Sequence, residues 1–301
     1  MDAWQGEQIA FLGGGNMARA LIAGLLRQGL PAARICVGEP REALRSALLA
    51  DFGVRSSADN AQILDGTTLV VLAVKPQDAS KALQSLHGPS SAQHAPARTL
   101  LSIAAGLTID SLSRACPPGM AIVRAMPNRP ALVGAGVTGL YASDTTPEPA
   151  RAAAERVARA AGQAVWLRHE AELDLVTALS GSGPAYFFLL AEQLAAAATR
   201  LGLCAQTATL LAVETLYGAG LLAHTALAAD AANTLSAERS AVTSRGGTTE
   251  AALQVLAQGG LEALVERALQ AAARRSAELA AASTTGGAGT AGPPGQAGAA
   301  R

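Results

Sequence analysis

Two patterns in the sequence predict a doubly wound α/β domain followed by an all-helical domain. Over residues 1–168, short apolar runs alternate with stretches of helical periodicity, which is typical of βαβ units around a parallel sheet. Over residues 169–282, Ala, Leu and Glu dominate, and helical stretches follow one another without a convincing strand. Residues 283–301 are mostly Gly, Ala, Thr and Pro, so we expect this tail to be disordered.

The individual elements follow from apolar runs and helical spacing. Strands are predicted at Ile9–Leu12, Arg34–Val37, Leu69–Val74, Leu100–Ile103, Ala121–Arg124 and Ala164–Leu167. Helices are predicted between them at Met17–Gln28, Arg41–Asp51, Gln77–Leu86 and Pro149–Ala161. The helices predicted in the second half are Glu170–Leu179, Ala185–Leu201, Ala205–Ala228 and Thr249–Ala281.

The composition excludes several classes of protein. Half of the 301 residues are hydrophobic and only 15% are charged, against about 25% in an average domain, so the chain is not a disordered one. Lys and Arg number 23, as do Asp and Glu, which leaves no basic excess for nucleic acid. Because so few charges are available to cover the surface, we expect some apolar surface to be buried between subunits.

Neither a metal site nor a targeting segment is expected. The three cysteines, Cys36, Cys116 and Cys204, form no CxxC pair, and the four histidines show no HxH or HxxxH spacing. The first seven residues lack a basic region, and no apolar run is long enough and free enough of Gly and Pro to span a membrane convincingly. We therefore expect a cytoplasmic protein that binds neither nucleic acid nor membrane.

The glycine-rich segment at residues 13–18 predicts a dinucleotide-binding Rossmann domain. Gly13, Gly15 and Ala18 fit the pattern GxGxxG/A, and they follow a predicted strand and open a predicted helix. Gly13 permits the tight turn, Gly15 lets backbone approach the pyrophosphate, and the helix N-terminus binds the phosphate charge. The expected cofactor is NADP(H) or NAD(H).

Residues after the second and later strands are expected to select and orient this cofactor. Glu39 stands where an acidic residue binds the ribose hydroxyls of NAD, whereas Arg41 suits the phosphate of NADP. These two residues argue in opposite directions, so the preference stays open. Within Ala73–Pro76, Lys75 can reach phosphate or ribose, and the small residues of Ser102–Gly106 leave room for a nicotinamide ring.

Three further segments are too unusual to be simple connections. Arg124–Pro130 carries two prolines and two arginines, and Ser180–Tyr186 opens the helical domain with Pro184 suited to a first helical turn. Ser244–Glu250 is a second Gly-rich turn before a helix, where consecutive backbone N–H groups can bind a carboxylate. A plain helix N-cap is the alternative for this last segment.

Six segments occur together and in one order along the chain: GGGNMA, AVKP, SIAAG, RAMPN followed by P, LSGSGPAY and TSRGGTT. As a set they resemble the pyrroline-5-carboxylate reductase family of proline biosynthesis, and the resemblance runs from about Ile9 to Leu279. It implies an α/β Rossmann domain followed by an all-α dimerisation domain. It further implies NAD(P)-dependent reduction of 1-pyrroline-5-carboxylate to L-proline. In the family the helical domains of two subunits interlock, the active site lies between the cofactor domain of one and the helices of its partner, and rings of dimers occur.

The resemblance also assigns roles to residues. Thr177 resembles the family's threonine near the substrate nitrogen, and it is the expected catalytic residue. The expected carboxylate-binding loop consists of Ser244, Gly246, Gly247, Thr248 and Thr249. Together with Glu39, the expected cofactor contacts are Leu12, Gly13, Gly14, Gly15, Asn16, Met17, Asn60, Ala73, Val74, Lys75, Pro76, Ala104 and Ala105.

Three departures from the family pattern and two rival functions accompany this prediction. Arg245 stands where the family has Pro, Arg129 replaces Thr, and residues 238–240 read Glu-Arg-Ser instead of Leu-Lys-Asp.

One rival function is that of a related imine or keto-acid reductase; reduction of a keto acid needs a cationic acid, for which His169 and Lys75 are the candidates. The other rival is a non-catalytic, cofactor-binding regulatory protein, which Arg245 in the substrate loop favours.

Overall fold

The computed structural model describes Trp4 and residues 6–87, 98–227 and 234–285. An eight-stranded sheet forms the centre of the first half of the chain. Its strands are β1 (Ile9–Leu12), β2 (Ile35–Gly38), β3 (Arg55–Ser57), β4 (Leu69–Leu72), β5 (Thr99–Ser102), β6 (Ala121–Met126), β7 (Gly136–Ala142) and β8 (Gly162–Trp166).

The order of the strands places a ligand-binding crevice at the centre of the sheet. The strands lie in the order β3-β2-β1-β4-β5-β6-β7-β8. Strands β1 to β6 pair in parallel, whereas β7 runs antiparallel to β6 and β8 runs parallel to β7. The chain changes direction across the sheet between β1 and β4, and doubly wound sheets bind ligands at the carboxyl ends of the strands at such a point.

Helices cover both faces of this sheet. They are α1 (Asn16–Arg27), α2 (Glu42–Phe52), α3 (Ala79–Gln84), α4 (Ile109–Ala115) and α5 (Glu148–Arg159). One buried cluster contains Ile9 and Phe11 and packs against α1, α2 and α5. The other contains Ala10 and Leu12 and packs against α3 and α4. Alternate residues of β1 thus enter two separate cores, as expected of a strand buried on both faces, and the predicted doubly wound domain is confirmed.

The second half of the chain is helical, as predicted. Its elements are α6 (Glu172–Val176), a π-helical turn at Thr177–Gly181, α7 (Gly183–Arg200), α8 (Ala205–Leu227), α9 (Thr234–Ala241), α10 (Thr248–Gln258) and α11 (Leu261–Thr285). Helix α9 was absent from the sequence prediction. The single helix predicted over Thr249–Ala281 is wrong, because Gly259 and Gly260 divide it and Gly260 adopts the left-handed conformation with φ +73°.

Three elements of the first half were missed by pattern reasoning. Strand β7 contains Gly136 and Gly139, which have low strand propensity; both are required, since a Cβ at Gly139 would come 2.9 Å from the side chain of Val176 and one at Gly136 2.8 Å from the Ala161 carbonyl oxygen. Strand β3 is a short polar edge strand that pairs only with β2. Helix α4 has seven residues, too few to show a clear apolar period.

The chain forms two compact units whose limits differ from the predicted ones at 168 and 282. One unit combines the described residues up to Thr177 with those from Ala273 to Thr285, and the other is Ala178–Ala272. Helix α11 therefore begins in one unit and ends in the other. It continues through Thr285, so the predicted disorder is wrong for 283–285; the helix-favouring run Ala280–Ala282 extends it before the glycines of the tail. Residues 286–301 lie outside the described residues.

The helical unit exposes a large apolar surface in the single chain. Its exposed side chains include Phe187 at 58%, Leu211 at 52% and Tyr217 at 67%. Two segments, Glu172–Arg200 and Ala205–Leu227, reach a mean hydropathy of 1.3 and are long and apolar enough to cross a membrane by length and composition alone. Both contain glycine, and the first also contains a proline.

Candidate active site

The turn between β1 and α1 has the geometry of a pyrophosphate-binding loop. Gly13 adopts φ +101°, and a Cβ there would come 2.8 Å from the carbonyl oxygen of Ala73, so only glycine fits. A Cβ at Gly15 would instead meet no atom within 4 Å, which shows open space above this residue. Helix α1 begins at Asn16, and its N-terminal amides are hydrogen-bond donors for an anion in that space.

Glu39 and Arg41, which pointed to different cofactors in the sequence, form an ion pair in the structure. Glu39 is only 2% exposed. Its Oε2 accepts hydrogen bonds from the Gly14 amide at 3.0 Å and Arg41 Nη2 at 3.1 Å, and its Oε1 accepts one from Arg41 Nε at 2.7 Å. Burial alone raises the pKa of Glu39, but the bonds from Arg41 and Gly14 outweigh it and leave the pKa below its ordinary value. The carboxylate thus supports the glycine turn, while Arg41 is 68% exposed.

Strands β1, β4 and β5 end side by side and bring the predicted cofactor loops to one edge of the sheet. The Ala73 amide donates to the Leu12 carbonyl at 2.8 Å, and the Ile103 amide donates to the Leu72 carbonyl at 3.1 Å. The predicted cofactor residues that follow these three strands are Leu12–Met17, Ala73–Pro76, Ala104 and Ala105. The predicted contact Asn60 lies nearby, with its side chain against Gly38 at the end of β2.

One buried polar atom at this edge lacks a partner. The hydroxyl oxygen of Ser102, the last residue of β5, is buried and has no hydrogen-bond partner among the described residues. Leaving such a group unpaired costs about 1–3 kcal/mol. A polar group such as the carboxamide of a nicotinamide would supply the partner. With the open space above Gly15 and the small side chains of Ala104 and Ala105, this orphaned hydroxyl fits a dinucleotide bound across the carboxyl ends of the strands.

Thr177 lies at the start of the π-helical turn that follows α6. Its hydroxyl donates a hydrogen bond to the Leu173 carbonyl at 2.7 Å, and the residue is half-buried. Because the proton is engaged, the hydroxyl oxygen can accept a hydrogen bond but is poorly placed to act as an acid. π-Helical turns are frequent at functional sites.

In the second Gly-rich turn, which belongs to the helical unit, some of the backbone amides donate hydrogen bonds to acceptors of the same segment. Gly246 adopts φ +70°, and its amide donates to Glu250 Oε2 at 2.7 Å. The Gly247 amide donates to the Ser244 carbonyl at 3.0 Å. The amides of Thr248 and Thr249, in the first turn of α10, have no partner among the described residues. Of the predicted loop donors, these two amides and the hydroxyls of Ser244, Thr248 and Thr249 are the ones open to a carboxylate.

Glu170 was not among the predicted site residues. Its Oε1 accepts a hydrogen bond from the Ile109 amide at 2.7 Å and from Arg124 Nη1 at 2.7 Å. It thus joins Arg124 in β6 to the N-terminus of α4. No local pattern links Glu170 to a partner 46 residues earlier, so pattern reasoning could not identify it. Arg129 and Arg245, which stand where the family has Thr and Pro, are both exposed.

Within the described ranges, no three His, Cys, Asp or Glu side chains are grouped to hold a metal ion. Cys36 and Cys116 are buried, and burial raises the pKa of Cys116 to about 11. The sequence predicts that all three cysteines are small buried side chains, which is correct for Cys36 and Cys116 and wrong for Cys204, which is exposed.

Comparisons with known proteins define the class first. Residues 8–106 match the family model described as NADP oxidoreductase, coenzyme F420-dependent, and residues 170–279 match the model for pyrroline-5-carboxylate reductase dimerisation. With the glycine turn and the strand order, these matches define an NADP-dependent oxidoreductase that has a Rossmann domain followed by a helical dimerisation domain.

Relatives over nearly the whole chain then identify the family. A pyrroline-5-carboxylate reductase of Pseudomonas aeruginosa is 42% identical over 91% of this chain and 97% of its own, and one of Haemophilus influenzae is 40% identical over 91% and 98%. The structure of a pyrroline-5-carboxylate reductase from Coxiella burnetii superposes with a TM-score of 0.82 at 37% identity, covering 91% and 99%. This chain belongs to the pyrroline-5-carboxylate reductase family, and the resemblance stated from its motifs is confirmed.

Proposed function

We propose that this chain reduces 1-pyrroline-5-carboxylate to L-proline in the cytoplasm, as a homodimer or a ring of dimers, with NADPH or NADH as hydride donor. The observation that carries this proposal is the set of six motifs together with a Rossmann edge whose open glycine turn and unpaired Ser102 hydroxyl fit a dinucleotide. Membership of the family supports the same reaction. A structure of a Plasmodium falciparum pyrroline carboxylate reductase with NADP bound, 24% identical, shares the fold with a TM-score of 0.73.

The cofactor supplies a hydride to the carbon of the C=N bond when it is bound. The amides at the N-terminus of α1 would hold its pyrophosphate, and the space above Gly15 would admit it. The exposed guanidinium of Arg41 would hold the 2′-phosphate of NADPH, because the Glu39 carboxylate already accepts hydrogen bonds from Gly14 and Arg41. We therefore infer that the enzyme prefers NADPH to NADH, as Arg41 suggests and Glu39 does not.

The substrate carboxylate is assigned to the turn at the N-terminus of α10. The amides of Thr248 and Thr249 donate to it, and the helix dipole adds about 0.3–1 kcal/mol at an exposed site. Glu250, which accepts the Gly246 amide, keeps the turn in shape. This turn thus selects an imine that carries a carboxylate over one without a negative charge.

The ring nitrogen is assigned to Thr177. A cyclic imine is basic enough to arrive protonated, so its N–H donates to the Thr177 oxygen while the Thr177 hydroxyl continues to donate its own hydrogen bond to the Leu173 carbonyl. The nitrogen keeps this proton as hydride reaches the neighbouring carbon, and the product is a neutral amine that takes a second proton from water. Orientation, not acid catalysis, is the contribution of the protein.

The dimer is supported by the apolar surface of α7 and α8. Phe187, Phe188, Leu210 and Leu211 are each more than half exposed in the single chain. This surface lies within residues 170–279, which match a dimerisation model, so burial against a second copy accounts for the two apolar segments without a membrane.

A turnover assay tests the proposed function. The purified full chain is mixed with NADPH and pyrroline-5-carboxylate, and the loss of NADPH absorbance and the appearance of L-proline are followed. Gly15→Val serves as the inactive control. Reduction of a 2-keto acid in place of the imine would support the rival that uses Lys75 or His169, and cofactor binding without turnover of either substrate would support the regulatory rival.

A further inference from the structure

A second cavity lies at the amino-terminal edge of the sheet, opposite the edge that carries the cofactor loops. Leu69, Thr99 and Ala121, the first residues of β4, β5 and β6, line it. Its volume is about 840 Å³, within the range of about 300–1,000 Å³ that is usual for small-molecule sites. Strand β4 runs from this cavity to the cofactor edge, and its four residues separate the two by roughly 10 Å.

Much of the wall of this cavity is apolar. Side chains from α4, α5 and β6, and from the residue before β6, contribute this surface: Ile109, Ala150, Ala153, Ile122 and Met120. Ser143 and Thr146 also line the cavity, and their hydroxyls lie 3.1 Å apart and bond to each other. A wall of this kind suits a ligand with an apolar body, and a few polar groups then orient the ligand.

Arg98 brings to the cavity a positive charge that no described carboxylate neutralises. The residue is half-buried directly before β5, and its Nη2 donates to the Leu64 carbonyl at 2.9 Å. Its Nε is buried without a hydrogen-bond partner, and none of the ion pairs among the described residues includes it. A partly buried charge without a counter-charge is unfavourable, so an anion is favoured beside Arg98.

Arg156 on α5 is a second cation at this cavity, and it already has a carboxylate partner. It pairs with Glu7, which is mostly buried and lines the same cavity. The Nε of Arg156 is also buried without a partner among the described residues. The charged side chains that line the cavity are thus two arginines and one carboxylate, which leaves an excess of one positive charge.

We propose that this cavity binds a small organic oxyanion, a carboxylate or a phosphate that carries an apolar group. The oxyanion accepts hydrogen bonds from the guanidinium of Arg98, and the apolar group lies against Met120 and Ile122. The planar guanidinium matches the geometry of both kinds of oxyanion. None of the residues assigned to the cofactor or the substrate takes part, so this inference is independent of the proposed function.

Calorimetric titration of the full chain with three probes tests the chemistry of the ligand. NADPH is present at saturation, so that the glycine turn is occupied. Phenyl phosphate or benzoate should bind with a dissociation constant of about 1 mM or below, and the tighter of the two identifies the oxyanion. Inorganic phosphate should bind at least about tenfold more weakly than phenyl phosphate, because it lacks the apolar group. Failure of both ring-bearing anions to bind, or equal affinity for the two phosphates, would overturn the inference.

Two variants with opposite expected effects locate the binding. Arg98→Gln removes the unpaired charge and should weaken binding of the tighter ring-bearing anion about tenfold or more. Glu7→Gln removes the carboxylate that engages Arg156 and should strengthen that binding about threefold. Arg114→Gln is the matched control: this exposed arginine pairs with Asp110 in α4 and does not line the cavity, so the affinity should stay within about twofold.

Thermal unfolding shows whether each variant is folded. If Arg98→Gln does not fold, Glu7→Gln decides the matter, because its expected gain in affinity cannot come from a loss of structure. Wild-type affinity in the folded Arg98→Gln variant, or no gain in Glu7→Gln, would place the anion outside this cavity and overturn the inference.

Discussion

Both units of this chain contain large apolar side chains, but these are buried in the first unit and exposed in the second. In the Rossmann unit, Phe11, Ile22 and Leu72 are completely buried, whereas Phe187 and Tyr217 of the helical unit are more than half exposed. Helix α8 shows the reason: over its 23 residues it carries one acidic side chain and no Lys or Arg. A helix that is apolar on all sides needs partners on all sides. The first unit completes its core within one chain, whereas the second leaves much of its apolar surface exposed in the single chain.

The largest difference between the two units should appear when an exposed leucine of each unit is replaced by arginine. Leu211→Arg in α8 should raise the dimer dissociation constant by more than about 100-fold and abolish activity, since each subunit would bury an unpaired charge in the interface. Leu49→Arg in α2, at a residue of similar exposure, is the control and should leave assembly and activity unchanged. Sedimentation velocity measures both. A Leu211→Arg variant that remains dimeric would show that α8 lies outside the interface.

A smaller effect, confined to the Rossmann unit, is expected from Gly15→Val. The side chain fills the open space above the turn and removes the approach of the pyrophosphate. Loss of two hydrogen bonds to a charged group, at about 1.5 kcal/mol each, should weaken NADPH binding by roughly 100-fold. Fluorescence titration measures the affinity, and circular dichroism confirms the fold. Wild-type affinity in the folded variant would remove the turn from the cofactor site.

The matching change in the helical unit is Thr249→Val. It removes a hydroxyl from the carboxylate turn, and we expect the Michaelis constant for pyrroline-5-carboxylate to rise about tenfold with kcat little changed. Thr243→Val is the control, because the Thr243 hydroxyl donates to the Arg239 carbonyl in the preceding helix. Equal kinetics for both variants would place the carboxylate elsewhere.

The smallest effect concerns the choice between cofactors. Arg41→Ala should raise the Michaelis constant for NADPH about tenfold and leave that for NADH within about twofold, since only NADPH carries the 2′-phosphate. Arg45→Ala, in α2 four residues after Arg41 and bonded to the Glu39 and Pro40 carbonyls, is the control. An equal rise in the Michaelis constants for NADPH and NADH would mean that Arg41 acts only through its ion pair with Glu39.

Much of the fold could be predicted from the sequence because its signals are local. The glycine turn, the apolar run at β4 and the change to helical periodicity each lie within a few residues, and the structure confirms the fold class. Elements whose signal is not local were missed: β7 contains two glycines because other backbone and Val176 approach it closely. The break in α10–α11 was the exception, since Gly259 and Gly260 are visible in the sequence.

The candidate site shows the same division. The family resemblance assigned most of the cofactor residues as a group, and the residues that follow β1, β4 and β5 lie together because the carboxyl ends of parallel strands share one edge. Glu170 could not be predicted, because its partner Arg124 lies 46 residues away in sequence. The internal bonds of Gly246 and Gly247 were also invisible, since a glycine pair predicts a flexible turn and not which amides it uses itself.

The most direct test of the difference between the two units is the mass of the wild-type enzyme in solution, measured together with its activity. Sedimentation velocity at micromolar concentration should give twice the mass of the chain or a higher even multiple, and the reductase activity should sediment with that species. A stable monomer that reduces pyrroline-5-carboxylate would contradict the account, because the apolar face of α7 and α8 would then need no second copy.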